Sequence, residues 1–142
     1  MRDFYNSIVV REGIAPQAAR TDNTAIVSEI IDMQGFDALV WLIQLGTNTD
    51  ADATFVVLIE ESDDSGMSGQ VAVDDDDLNG TEALINFDFA DDDLARKIGY
   101  HGSKRYIRMT ITPSNNDSGN IFLSASAILS SASDRPTAAQ LT

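Results

Sequence analysis

Cysteine is missing from this chain, and histidine is nearly so, with His101 the only one. The first absence excludes disulfides, thiolate metal sites and a cysteine nucleophile. The second excludes a His-rich zinc centre and a two-His facial triad. Long apolar runs are also lacking. No stretch approaches the roughly 18 consecutive apolar residues of a membrane span. The opening Met1-Arg2-Asp3-Phe4-Tyr5-Asn6 has no apolar core of a signal peptide, so synthesis in a cytoplasm is expected. Basic residues are scarce, 9 against 23 acidic ones, for a net charge of −14. Phosphate contacts need a basic face, so nucleic acid is not an expected partner, and neither is an anionic membrane. No GxGxxG, GxxxxGK[ST] or GxSxG motif occurs.

What the chain has is aspartate in runs, at Asp63-Asp64, Asp74–Asp77 and Asp91–Asp93, each between apolar, β-branched segments. Aspartate disfavours helix interiors and favours turns and caps, so the acidity itself marks loops. With 142 residues and 43% hydrophobic content, one globular domain with a true core is expected.

The apolar segments read as strands. Ala25–Asp32 places Ile26, Ser28 and Ile30 on one face and Val27, Glu29 and Ile31 on the other. Asp37–Leu45 is nearly continuous apolar, as in a strand buried on both faces, with a helix of that length as the alternative. Thr54–Glu61 is a second central strand, Gln70–Val73 a short edge strand, and Leu84–Phe89 an alternating one. Arg96–Tyr100 and Lys104–Thr112 flank His101-Gly102-Ser103 as a hairpin, and Ile107, Met109 and Ile111 give the latter a period of two. Asn120–Leu129 closes the set. The pattern predicts an all-β fold: a single-domain antiparallel β-sandwich, jelly-roll-like, of about eight strands. Residues 1–24 form an irregular N-terminal arm with a short strand from Phe4 to Val10, residues 25–129 the sandwich, and residues 130–142 a small-residue tail.

Three constellations invite chemistry. Asn48-x-Asp50-x-Asp52 alternates oxygen ligands like the start of a Ca²⁺ loop, but lacks the glycine and the closing glutamate. Paired carboxylates of a glycosidase need a cleft and a raised pKa, which exposed Asp runs do not provide. The expected reading of the Asp runs is therefore solvated loops, with no metal and no cofactor. The third is the basic stretch Arg96, Lys97, Lys104, Arg105 and Arg108, interleaved with Tyr100, His101 and Tyr106. On so acidic a chain, it reads either as pairing with acidic loops of a neighbouring subunit or, equally, as ordinary hairpin surface charge. Trp41 lies inside an apolar strand and is expected in the core. No nucleophile–base pair is visible, so the chain is not expected to be an enzyme.

The stretches Asp32–Leu39, Ala51–Phe55, Glu60–Asp64, Gly80-Thr81-Glu82, Lys97–Tyr100, Gly102–Arg108, Thr110–Pro113 and Ser124–Leu129 together resemble a family of small tailed-phage structural proteins of the head gene module. The likeness covers residues 25–136 and lies in turns and strands, with no catalytic motif to carry over. It implies a virion location, on the capsid surface, and a role like that of decoration (cement) proteins. The implied partners are the major capsid protein and further copies of the chain, with a trimer expected. The N-terminal arm supplies apolar anchors in Phe4, Tyr5, Ile8, Val9 and Val10, and Arg96, Lys97, Lys104 and Arg105 are the other candidate contacts. On this reading, deleting residues 1–20 leaves a folded domain. A glycan- or receptor-binding module of a fibre or tail, using Tyr100 and Tyr106, and a head–tail joining component are the alternatives.

Overall fold

The structure is a computed structural model that describes residues 3–133. Eleven strands run β1 (Val9–Ile14), β2 (Ile26–Val27), β3 (Ile31–Asp32), β4 (Phe36–Asn48), β5 (Thr54–Ser62), β6 (Val71–Ala72), β7 (Leu78–Asn79), β8 (Phe87–Asp88), β9 (Ala95–Tyr100), β10 (Tyr106–Ser114) and β11 (Ile121–Ala132). A single helical turn, α1 (Glu82–Ile85), and 3-10 turns at Tyr5–Ser7 and Asp75–Asp77 complete the elements.

Every strand pairing is antiparallel. The first sheet has the order β1-β11-β4-β9-β7. The second has β2-β10-β5-β6, with β3 also on β10 and β8 also on β5. Once the two-residue strands are merged into the positions they share and β7 is set aside as an edge addition, eight positions remain. The chain alternates between the sheets except where β5 continues into β6, which is the double Greek key of a jelly roll. The expected β-sandwich is therefore the observed fold, in one small domain.

The core lies between the sheets because one residue in two on each long strand is apolar. Leu39, Trp41, Ile43 and Leu45 of β4 and Ala125, Ala127 and Leu129 of β11 are buried. They face Phe55, Val57 and Ile59 of β5 and Ile107, Met109 and Ile111 of β10, also buried. The Phe55 and Phe87 rings stack at 4.8 Å between centroids.

Several expectations are corrected. Strand β4 is buried on one face only. Its other residues, Ala38, Val40 and Leu42, are half-exposed, because the second sheet covers one side of it. The segment Ala25–Asp32 is two strands, not one. Glu29 and Ile30 are both exposed, so the inward face passes from Ile26 and Ser28 to Ile31. The break is held by Ser28, whose Oγ accepts from Met109 N at 2.9 Å, and by Glu29 N, which donates to Gly13 O at 2.8 Å. The segment Leu84–Phe89 is helical at its start, and only Phe87–Asp88 is a strand. Strands β9 and β10 belong to different sheets, so the His101 loop crosses the sandwich and is no hairpin.

The N-terminal stretch is built into the sheet rather than lying as an arm. The expected Phe4–Val10 strand gives way to a 3-10 turn, and the strand forms at Val9–Ile14, paired with β11. It contains a bulge between Glu12 and Ile14. Gly13 sits there because a Cβ would fall 2.4 Å from the Trp41 ring. Further on, Arg20 bridges to Ile121, and Asn116 Nδ2 donates to Arg20 O and Asp22 O at 3.2 and 3.0 Å. Of the tail at 130–142, Ser130–Ala132 ends β11, and residues 134–142 lie outside the described residues.

Candidate functional surfaces

The Asn48–Asp52 segment follows β4, and its carboxylates serve the fold. Asp50 is buried and faces the β10–β11 loop. Its carboxylate accepts from Asp117 N at 3.0 Å, Ser118 N at 2.8 Å and Ser118 Oγ at 3.2 Å. These donors, the Ser118 amide first, hold its pKa down at about 2. Asp52 shares a hydrogen bond with Asp50, and that contact raises its own pKa. Gly119 is needed for this approach, since a Cβ there would lie 2.6 Å from Asp50 N. Asn48 Oδ1 accepts from Asp50 N at 3.3 Å, and Asp92 accepts from Asn48 N at 2.8 Å. The apparent ligand row is thus a turn lock. Among the described residues no group of three His, Cys, Asp or Glu side chains converges as a metal site.

One member of each of two other Asp runs, and Asp88 ahead of the third, act in the same local way. Asp74 accepts from Asp76 N, Asp64 from Gly66 N and Ser68 N, and Asp88 from Ala90 N. These are Asx-type turns, in which a short side chain replaces a missing backbone partner.

At one end of the sandwich the His101 loop wraps Tyr100. The phenol is buried, donates to Glu61 Oε2 at 2.7 Å and accepts from Lys104 N at 3.0 Å. Burial and the Glu61 carboxylate push its pKa well above the usual phenol range. Lys104 pairs with Asp63, and that hydrogen bond raises the ammonium pKa. Arg105 forks onto Asp32 with two bonds of 2.9 Å, reaches Gln34 Oε1 at 2.6 Å and lies 5.0 Å over the Tyr106 ring. The guanidinium holds the Asp32 carboxyl below its ordinary range. A groove of about 590 Å³, open to solvent, runs beside these residues between Phe36 and His101.

The basic residues therefore find their acidic partners within the same chain. Arg96 pairs with Asp91 and Arg108 with Glu60, so Arg96, Lys104, Arg105 and Arg108 are all internally paired. Lys97 alone of the stretch has no acidic partner among the described residues. The expectation that these cations wait for a neighbour's loops is corrected to this extent: folding already brings the loops together. Tyr100 is buried, and Tyr106 lies half-buried under Arg105, so neither stands free at a loop tip.

The apolar anchors are divided. Phe4 and Tyr5 are 60% and 69% exposed on the 3-10 turn before β1. Ile8 is half-buried, Val9 is buried in the sheet, and Val10 points outward from it. The structure adds a surface that the sequence reading passed over. On the outer face of the second sheet, Val27, Thr110 and Leu58 lie side by side, next to Thr112 and Val56. Val27 and Val56 are 50% and 52% exposed, which makes a β-branched apolar patch. The alternation within Thr54–Glu61 carried this signal, because Val56 and Leu58 must point away from Phe55, Val57 and Ile59.

No family model matches the chain, and no curated protein sequence matches it. Among solved structures it is similar to the PBSX exported protein XepA, with a TM-score of 0.52 and 13% identity. That match covers 94% of this chain and 41% of the other, so the chain spans about two fifths of that protein's length. The Yersinia pseudotuberculosis-derived mitogen matches at a TM-score of 0.40 and 10% identity, over 91% of this chain and 89% of that one. The CBM22-1 xylan-binding domain of Xyn10C from Paenibacillus barcinonensis matches at 0.42 and 9%, over 94% and 88%. The likeness to XepA is one of fold.

Proposed function

We propose that this chain is a non-enzymatic virion structural protein, a decoration protein that docks on the phage head and stabilises it. The observation that carries the reading is which side chains folding leaves over. The cations of the basic stretch are held in internal ion pairs, Lys97 excepted, and Asp50, Asp64 and Asp74 by turn amides. Among the exposed apolar side chains are Phe4, Tyr5 and the Val27–Val56–Leu58 patch. A contiguous exposed apolar patch marks a docking surface. The resemblance to small phage head-module proteins supplies the partner, the major capsid protein. The XepA-like fold accords with a β-sandwich module without naming what it binds.

The mechanism is linkage. A protein that binds the assembled shell but not free subunits stabilises the shell by mass action. Aromatic side chains suit the contact, because they bury large area for few rotatable bonds. A glycan- or receptor-binding reading loses the two tyrosines on which it rested, since both are engaged within the fold.

The test is binding of the purified chain to heads that lack it, read by co-sedimentation. The wild type is expected to pellet with heads. A Phe4→Ser/Tyr5→Ser variant is expected to bind at least about tenfold more weakly while melting like the wild type. Failure of the wild type to bind overturns the head assignment, and undiminished binding of the variant removes the aromatic anchor.

A further inference from the structure

The outer face of the first sheet differs in chemistry from the rest of this acidic molecule. Its strand register sets side chains in rows across β1, β11, β4 and β9. One row is Glu12, Ser126, Leu42 and Lys97; the next is Val10, Ile128, Val40 and Gly99. Both rows alternate with the buried residues Trp41 and Leu39, so they face away from the core. Within them only Glu12 and Lys97 are charged. They are of opposite sign, in the same row, and each stands one strand outside the β11–β4 pair, with β7 beyond the Lys97 strand. Both are exposed, and neither has an ion-pair partner among the described residues.

We infer that this face is the interface with a second copy of the chain, stacked sheet on sheet about a two-fold axis. The axis runs parallel to the strands and passes between β11 and β4. Rotation about it carries β1 over β9 and β11 over β4. Glu12 of each copy then faces Lys97 of the other, which gives two ion pairs from one surface. Ser126 meets Leu42 and Ile128 meets Val40, while Val10 comes over the Asn79 side chain that covers Gly99. Ser126 thus sets a small residue opposite the large Leu42, as interdigitating sheets about 10 Å apart require. The charge pattern selects the occupant. A patch with opposite charges placed symmetrically about its own midline is complementary to itself, which is the condition for an isologous interface. On a chain of net charge −14, this locally neutral face is also where two copies approach with least repulsion.

This inference is independent of head binding, and its test is the mass of the free protein. Sedimentation equilibrium of the intact chain at roughly 0.15 M salt, where long-range repulsion is screened, is expected to give twice the chain mass. Lys97→Glu sets glutamate against glutamate twice per dimer and is expected to weaken association at least about tenfold, as is Glu12→Lys. The double variant Glu12→Lys/Lys97→Glu restores opposite charges and is expected to return to within about threefold of the wild type. Both substitutions are on the surface, and thermal melts verify that each of the three variants folds. A wild type that stays monomeric into the high micromolar range overturns the inference. So does a trimer, and so does a double variant no tighter than the single ones.

Discussion

At the residue scale the aspartates matter as acceptors for backbone amides. Asp50 is the clearest case, with the turn 117–119 held on one carboxylate. Its pKa of about 2 is depressed relative to the unfolded chain, so it contributes stability above about pH 4 that is lost as pH falls toward 2. Asp52 is shifted the other way, so its contribution is present in mild acid and lost as pH rises through its folded pKa. Thermal melts between pH 2 and 5 are therefore expected to show a steep acid loss in the wild type. Asp50→Asn is expected to be less stable at neutral pH and to show a flatter acid limb. Gly13 makes a second residue-scale claim. Alanine there drives a methyl into the Trp41 ring, and a loss of about 1–3 kcal/mol is expected in urea unfolding. Tyr100→Phe removes the donor to Glu61 and the acceptor of Lys104 N, and a cost of about 1–3 kcal/mol is expected by the same measurement. None of these partnerships is legible in the sequence. Tyr100 and Glu61 are 39 positions apart, Arg105 and Asp32 are 73 apart, and only the meeting of loops at one end of the sandwich joins them.

At the element scale, strand β5 shows how an edge is closed. Strands β6 and β8 cover its two ends and leave Val57 and Ile59 between them. Those amides donate instead to Asn86 Oδ1 at 2.8 Å and Glu82 Oε1 at 2.7 Å, side chains at the C-cap and the first residue of α1. An open edge is a template for aggregation, and these carboxylate and amide groups block it. Glu82→Ala is expected to cost about 1–2 kcal/mol and to raise light scattering on heating, whereas Glu82→Gln keeps the acceptor and most of the stability. The strands themselves were readable where one face is buried and the period is strict, as in Ile107, Met109 and Ile111. They were misread where a side chain replaced a ladder bond. Ser28 breaks β2 from β3 by taking an amide of β10, and Asn86 ends the apparent alternation of Leu84–Phe89. Periodicity counts apolar residues and does not register such substitutions.

At the scale of the whole molecule, the chain is an acidic jelly roll that pairs most of its basic stretch internally and leaves an apolar patch on the outer face of the second sheet. The alternation of strands foretold the sandwich, but not that β1 would complete it. Val9, Gly13 and Ile14 are buried there, so removing residues 1–20 takes away an edge of the first sheet and the cover over Trp41. That truncation is expected to unfold at a lower denaturant concentration, whereas removal of residues 1–7 leaves β1 in place and the midpoint nearly unchanged. The central claim is that this surface serves a phage head many times over. Counting the chain against the major capsid protein in purified particles, by quantitative mass spectrometry, tests it most directly. On the order of hundreds of copies per particle, in fixed ratio to capsid subunits, are expected. A handful of copies, or a single ring of about six or twelve, contradicts it.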